Sequence, residues 1–78
     1  MDRVEKFVEY AVRSLATEPE QVHVSRATVD GKDTVTVKVS SCDRGRVVGR
    51  QGRTIRAIST LVNILATSGS PVSVTVAD

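Results

Sequence analysis

Aromatic side chains are almost missing from this sequence. Phe7 and Tyr10 are the only two among 78 residues, and there is no tryptophan. Proteins that hold unpaired bases on a surface of stacked rings need several aromatic residues. That type of nucleic-acid-binding surface is therefore excluded.

Cysteine and histidine each occur once, as Cys42 and His23. One thiol cannot form an internal disulfide, and one cysteine with one histidine does not complete a zinc site. The sequence also pairs no base with a candidate nucleophile. We therefore expect no metal, no cofactor and no enzymatic activity.

Long apolar runs are missing as well. The chain has no apolar stretch of about 18 residues and does not open with a charged segment followed by an apolar one. Its length accommodates one hydrophobic core. We expect a single domain over residues 1–78, in the cytoplasm and without a membrane partner.

Apolar residues recur at helical spacing in two parts of the chain. They predict a helix over residues 2–16 with Asp2 as its N-cap, and a second over residues 53–67 with Gly69 as its C-cap. A short helix over residues 42–48, with Asp43 as its N-cap, is predicted to stop at Gly49.

Between and after these helices the hydrophobic period changes to two, which predicts strands. Two strands flank Asp30-Gly31, a hairpin-turn signal, and a third follows Pro71. A one-residue phase slip near residues 25–26 predicts a β-bulge. The predicted order is α-β-β-α-α-β, an α+β fold with three strands in one layer and three helices in the other.

Positive charge is concentrated in residues 44–56, which hold five arginines and no acidic residue, although the whole chain carries a net charge of only +2. Because the planar guanidinium group suits phosphate recognition, this segment predicts contact with a nucleic acid. The alternative is a solvated, arginine-rich face.

Within this segment two predicted helices meet through Gly49-Arg50-Gln51-Gly52. Glycine permits positive φ and a close approach of a nucleic-acid backbone, and the following helix offers N–H groups at its N-terminus. The P-loop and dinucleotide fingerprints do not fit, because Val47 stands where each needs its first glycine. A glycine turn between two plain helices is the structural alternative.

The segment from Asp43 to Ile55 resembles the KH domain in its type II arrangement, in which a helix and a strand precede a β-α-α-β core. Over its whole length the chain is similar to the KhpA family of small bacterial KH proteins, with Val48 in place of the commoner isoleucine. The resemblance implies a three-stranded mixed sheet and a groove for about four nucleotides of single-stranded RNA. It also implies homodimers or a larger KH-containing partner, and an RNA chaperone or post-transcriptional regulator linked to cell elongation and division.

The loop and the resemblance together predict contacts to RNA from ten residues: Arg46, Val47, Val48, Gly49, Arg50, Gln51, Gly52, Arg53, Ile55 and Arg56. Phosphates would lie over the loop on backbone N–H groups and Arg50, while the other arginines supply positive charge. The three apolar residues would form the floor of the groove, unless the core buries them. A protein-protein adaptor with weak or vestigial RNA binding is the alternative function.

The predicted helix over residues 53–67 carries two apolar stripes. One is wide enough to cover a sheet and consists of Ile55, Ile58, Val62 and Leu65; the other consists of Ala57, Leu61 and Ile64. Either the first helix covers the second stripe, or that stripe is the interface of a homodimer.

Overall fold

The computed structural model describes residues 3–66 and 71–77. Within them lie three α-helices, α1 (Arg3–Leu15), α2 (Arg44–Val48) and α3 (Arg53–Leu65), and three strands, β1 (His23–Val29), β2 (Lys32–Lys38) and β3 (Val72–Val76). Short 3₁₀ turns occupy Pro19–Gln21 and Arg50–Gly52. The α+β class and the order of helices and strands are confirmed, with α2 reduced to little more than one turn.

The three strands form one mixed sheet in the order β1-β2-β3. Strand β1 is antiparallel to β2, and β3 is parallel to β2. The α2 and α3 helices connect the two parallel strands, as a crossover between such strands requires. The Asp30-Gly31 turn is confirmed, because both residues have positive φ, 53° and 75°, as a type I′ turn needs.

The predicted β-bulge near residues 25–26 is wrong. Strands β1 and β2 pair residue for residue, from His23 opposite Lys38 to Val29 opposite Lys32. Arg26 stands opposite the buried Val35, and its Nε donates to Asp33 Oδ1 at 2.9 Å. The phase slip therefore reflects an ion pair placed on the inward side of the strand, and no residue has been inserted.

The core lies between the sheet and the helices and is built almost entirely of valine and isoleucine. Val4, Val8 and Val12 of α1 are buried, which confirms the helical stripe predicted for this segment. Ile58 and Val62 of α3 are buried beside them, with Ile55 and Leu65 half-buried, which confirms the stripe predicted to cover the sheet. Within the described residues no helix is long and apolar enough to cross a membrane.

Two helix ends differ from the prediction or cannot be compared with it. Helix α3 ends at Leu65, two residues early, because Ala66 already has an extended backbone, with ψ of 128°. Asp2 and Gly69, predicted as capping residues, lie outside the described residues.

The carboxylate of Asp43 is fully buried and joins two distant parts of the chain. It accepts hydrogen bonds from the backbone N–H of Thr17, at 3.0 and 3.1 Å, and of Glu18, at 3.0 Å. The hydroxyls of Thr17 and Ser40 donate to it at 2.8 and 3.1 Å. Asp43 stands at the N-cap position of α2, as predicted, but its side chain does not cap that helix. It anchors the segment after α1 to the start of α2.

These donors set the ionisation of Asp43. The hydrogen bond from the Thr17 backbone, followed by those from the Glu18 backbone and the two hydroxyls, lowers the pKa of Asp43 to about 2, against the opposing effect of burial. Because the pKa is lower in the folded state, ionised Asp43 stabilises the fold at pH values above its unfolded pKa, near 4. That contribution is lost as the pH falls from about 4 to about 2.

Replacement of Asp43 by asparagine should destabilise the protein at neutral pH. It should also reduce the stability that the protein loses between pH 4 and pH 2. The amide presents an N–H₂ group to donors that need an acceptor, so we expect a fall in Tm of roughly 10 °C. Thermal unfolding followed by circular dichroism between pH 2 and pH 7 measures both effects. Glu20→Gln, at an exposed carboxylate, is the matched control. An Asp43→Asn variant that loses as much stability between pH 4 and pH 2 as the wild type would contradict this account.

Candidate nucleic-acid interface

The Gly-x-x-Gly loop (residues 49–52) turns the chain from α2 into α3 through a backbone that few residues can adopt. Gly49 has φ 80° and ψ 170°, a region open essentially to glycine alone. Gln51 and Gly52 follow with φ of 56° and 73°, both left-handed. Three of the four loop residues therefore have positive φ, which accounts for glycine at both ends.

The two loop glycines nevertheless serve different purposes. A Cβ on Gly49 would lie 2.2 Å from Thr54 Oγ1 and 2.8 Å from the Thr54 nitrogen, so the start of α3 already fills that space. A Cβ on Gly52 would have as its nearest neighbour Arg56 Nε, at 3.9 Å. Gly49 thus allows close packing within the protein, and Gly52 is the glycine whose backbone is open to a ligand. Sequence reasoning gave Thr54 no role, because nothing in the pattern marks this contact.

Several N–H groups of the loop are bonded within the protein. The N–H of Gly49 donates to the Gly45 carbonyl at 2.8 Å, and that of Gly52 donates to the Gly49 carbonyl at 3.1 Å. The N–H of Arg53 donates to the Arg50 carbonyl. The loop therefore offers a phosphate fewer backbone N–H groups than the sequence suggests. Within the loop, those of Arg50 and Gln51 are the ones that no backbone carbonyl of the described residues accepts.

The arginines of the candidate site fall into two groups. Arg46, Arg50 and Arg53 are exposed, and in the described part of the chain no hydrogen bond or ion pair occupies their guanidinium groups. Arg56 is also exposed, but its Nη2 donates to the Gln51 carbonyl at 2.7 Å and its Nε to the Gly52 carbonyl at 3.4 Å. Three positive charges around the loop are thus available to an anion, and the fourth is committed to the loop itself.

The three apolar candidates do not share one environment. Val47 is fully buried in the hydrophobic core, which is the alternative to the groove floor that the sequence left open. Its position on the inward side of the short helix α2 places it against α3 and the sheet. Val48 and Ile55 are half-buried and remain apolar candidates beside the loop.

The second stripe of α3 is left uncovered by the rest of residues 3–66 and 71–77. Leu61 and Ile64 keep 48% and 72% of their surface exposed, and Ala57 is exposed as well. Helix α1 packs beside α3 without burying these residues, so the interpretation that α1 covers the stripe is wrong.

One group of possible metal ligands occurs in the described residues, formed by Glu18, Cys42 and Asp43, whose ligand atoms all lie within 4.8 Å of one another. Both oxygens of Asp43 already accept hydrogen bonds. The thiol of Cys42 donates to Glu18 Oε2 at 2.9 Å. Hydrogen bonding within the protein therefore accounts for this cluster.

The chain matches a protein family and several named proteins over most of its length. The family model described as KhpA/KhpB, KH domain matches residues 5–77. A protein named RNA-binding protein KhpA from Clostridium perfringens is 38% identical over 63 residues, which cover 81% of this chain and 84% of the relative. Its namesake from Leifsonia xyli is 38% identical over 69 residues, covering 88% and 90%. The one from Bacillus subtilis is 36% identical over 59 residues, covering 76% and 73%. No solved structure matches the chain significantly.

Alanine at the three glycines of this region should have three different effects. Gly49→Ala should destabilise the protein by more than about 3 kcal/mol, because the methyl group meets the Thr54 backbone and the φ is unfavourable. Gly52→Ala should cost about 1 kcal/mol, for the left-handed φ alone. Gly45→Ala should stabilise by about 0.5–1 kcal/mol, since that helical position has open space.

Urea unfolding of the three variants measures this order directly. Gly45→Ala is the internal control, because it adds the same methyl group two positions before the buried Val47 without a clash. A Gly49→Ala variant as stable as Gly52→Ala would show that the Thr54 contact does not constrain the loop.

Proposed function

The chain belongs to the KhpA/KhpB family of KH domains, and from this membership we propose that it binds single-stranded RNA with the Gly-x-x-Gly loop as a phosphate cradle. The relatives it matches are named RNA-binding proteins. The observation that carries the proposal is an open glycine, Gly52, together with three exposed arginines around one tight turn, whose guanidinium groups have no partner among the described residues.

In the proposed complex the sugar-phosphate backbone lies over the loop. A phosphate at Gly52 would be reached by the N–H groups of Arg50 and Gln51, while Arg46, Arg50 and Arg53 neutralise charge. The bases would then lie beside the half-buried Val48 and Ile55. About four nucleotides fit such a groove, and duplex RNA should compete poorly because its bases are paired.

The resemblance also supports a wider proposal. The protein would be a cytoplasmic RNA chaperone or post-transcriptional regulator, linked to cell elongation and division. Such a role needs a groove that binds RNA without catalysing a reaction on it. The arrangement described above gives a binding role to Arg46, Arg50, Gln51, Gly52 and Arg53, and a catalytic role to none of them. A protein-protein adaptor is the second candidate, favoured by the exposed Leu61 and Ile64 on α3.

The double variant Arg50→Asp with Gln51→Asp tests the loop. It places negative charge where phosphates are proposed to lie, so affinity for single-stranded RNA should fall at least about tenfold. Both positions are exposed, and Asp tolerates the left-handed conformation at residue 51, so the fold should persist. Fluorescence anisotropy with a labelled single-stranded RNA of random sequence measures the affinity.

A matched control introduces the same change in charge away from the loop. Lys32→Asp with Ser25→Asp alters exposed positions on the opposite face of the sheet from the core. This control should bind RNA within about twofold of the wild type. If both double variants bind as the wild type does, the loop is not the site; if the wild type does not bind RNA, the adaptor function is favoured.

We also propose that the second stripe of α3, formed by Ala57, Leu61 and Ile64, is the interface of a symmetric homodimer. Leu61 and Ile64 are large apolar residues left exposed on one side of a helix in a domain with a small core. A two-fold axis through this stripe would bury the same residues on both subunits. A larger KH-containing partner could use the same surface.

Leu61→Glu should convert the proposed dimer to a folded monomer. The charge would be buried without a partner in the interface, whereas in a monomer the site is half exposed and tolerates it. Sedimentation velocity measures the mass, and circular dichroism checks the fold. Ser73→Glu, at an exposed position of β3 on the face of the sheet away from the helices, is the control and should remain dimeric. A wild type that is monomeric at high concentration would contradict the proposal.

A further inference from the structure

The side chain of Arg56 folds back over the loop that precedes its own helix. Its Nη2 donates to the Gln51 carbonyl at 2.7 Å, and its Nε approaches the Gly52 carbonyl at 3.4 Å. Side chains on an α-helix point toward its N-terminus, so a long side chain in the first turn of α3 reaches the residues just before that turn. The guanidinium group therefore binds two carbonyl oxygens of the loop at once.

The loop needs such a contact because its backbone is unfavourable. Gln51 is a non-glycine residue at φ 56° and ψ 28°, and Gly52 follows it in the same left-handed region. That region is sterically unfavourable for a residue with a side chain. A hydrogen bond from a charged donor to the carbonyl of that residue offsets the strain and favours the turn before any ligand is present.

The contact also changes the electrostatics that a ligand meets. Carbonyl oxygens of a loop repel phosphate, and a guanidinium group bound to them removes that repulsion at the place where backbone N–H groups would receive the phosphate. Arg50 and Arg53, which have no such contact in the described residues, remain free to bind the ligand directly.

We propose that Arg56 is a positioning residue, which holds the Gly-x-x-Gly loop in its binding conformation through the carbonyls of Gln51 and Gly52. This inference rests on the proposed function, since it assigns Arg56 a task at the same RNA site. It separates Arg56 from the other arginines of the site, because the planar fork is required at residue 56 to reach both carbonyl oxygens.

Replacement by lysine tests this distinction because it keeps the charge and removes the fork. Arg56→Lys should weaken binding of a random-sequence single-stranded RNA about tenfold, the effect of losing a hydrogen bond made by a charged group. Arg13→Lys, at an exposed position on α1 outside the candidate site, is the matched control and should bind within about twofold of the wild type. The dependence of log K on log salt should keep its slope in both variants, since no phosphate contact is lost.

A second measurement needs no RNA. In the free protein, amide hydrogen exchange by NMR should be several-fold faster in Arg56→Lys at the N–H of Gly52 and Arg53, both bonded within the turn. Exchange in the β2 strand should change far less than in the loop, because Arg56 is exposed and outside the core, and the Tm should fall by only a few degrees.

The outcomes separate the two proposals. Faster loop exchange in Arg56→Lys supports the positioning role, even if the wild type fails to bind RNA, a failure that would count against the proposed function alone. Unchanged loop exchange overturns the positioning role. If exchange is unchanged in Arg56→Lys, and the neutral variant Arg56→Gln makes the salt slope shallower by about 0.7, Arg56 is a direct phosphate contact.

Discussion

The buried carboxylate of Asp43 is the interaction on which the placement of the candidate site depends. Helix α2 has only five residues and could not persist alone, since an isolated helix this short does not offset the cost of nucleation. Its start is fixed by the hydrogen bonds between Asp43 and the segment after α1, and its far end by the burial of Val47. The Gly-x-x-Gly loop begins immediately after this helix, so the two contacts together orient the loop relative to the rest of the domain.

Local sequence patterns predict most of the fold because most of it is decided locally. The alternation of Val35 and Val37, the helical spacing on α1 and the Asp30-Gly31 turn each follow from a period or a dipeptide. The contacts that sequence reasoning misses join residues far apart in the chain. Asp43 meets Thr17 across 26 positions, and its place before a helix indicates only the local capping role that its side chain does not take. The phase slip at Arg26 misleads for a related reason, because its ion pair with Asp33 forms across two strands.

At the candidate site, residue type alone does not distinguish between members of the same pattern. Gly49 and Gly52 are equivalent in the motif, yet one is constrained by Thr54 and the other is open. Arg53 and Arg56 are both exposed, yet only Arg56 bonds to the loop in the described part of the chain. These differences arise from the turn itself: its left-handed residues bring the start of α3 back onto the loop. A motif predicts where such a turn occurs, and the structure assigns the separate tasks.

Helix α3 links the two surfaces that the proposals use. The loop precedes its first residue, and the exposed Leu61 and Ile64 lie two to three turns further along, roughly 15 Å away at 1.5 Å per residue. A dimer formed through that stripe would therefore hold two loops at a separation fixed by two copies of one rigid helix. In the proposed complex each groove alone would contact few phosphates and bind weakly, while two grooves on one strand would gain affinity from their effective concentration. That gain vanishes if the RNA between the grooves is too short to span them. Avidity in this domain would thus select RNAs by the length of unpaired strand as well as by the bases held at each loop.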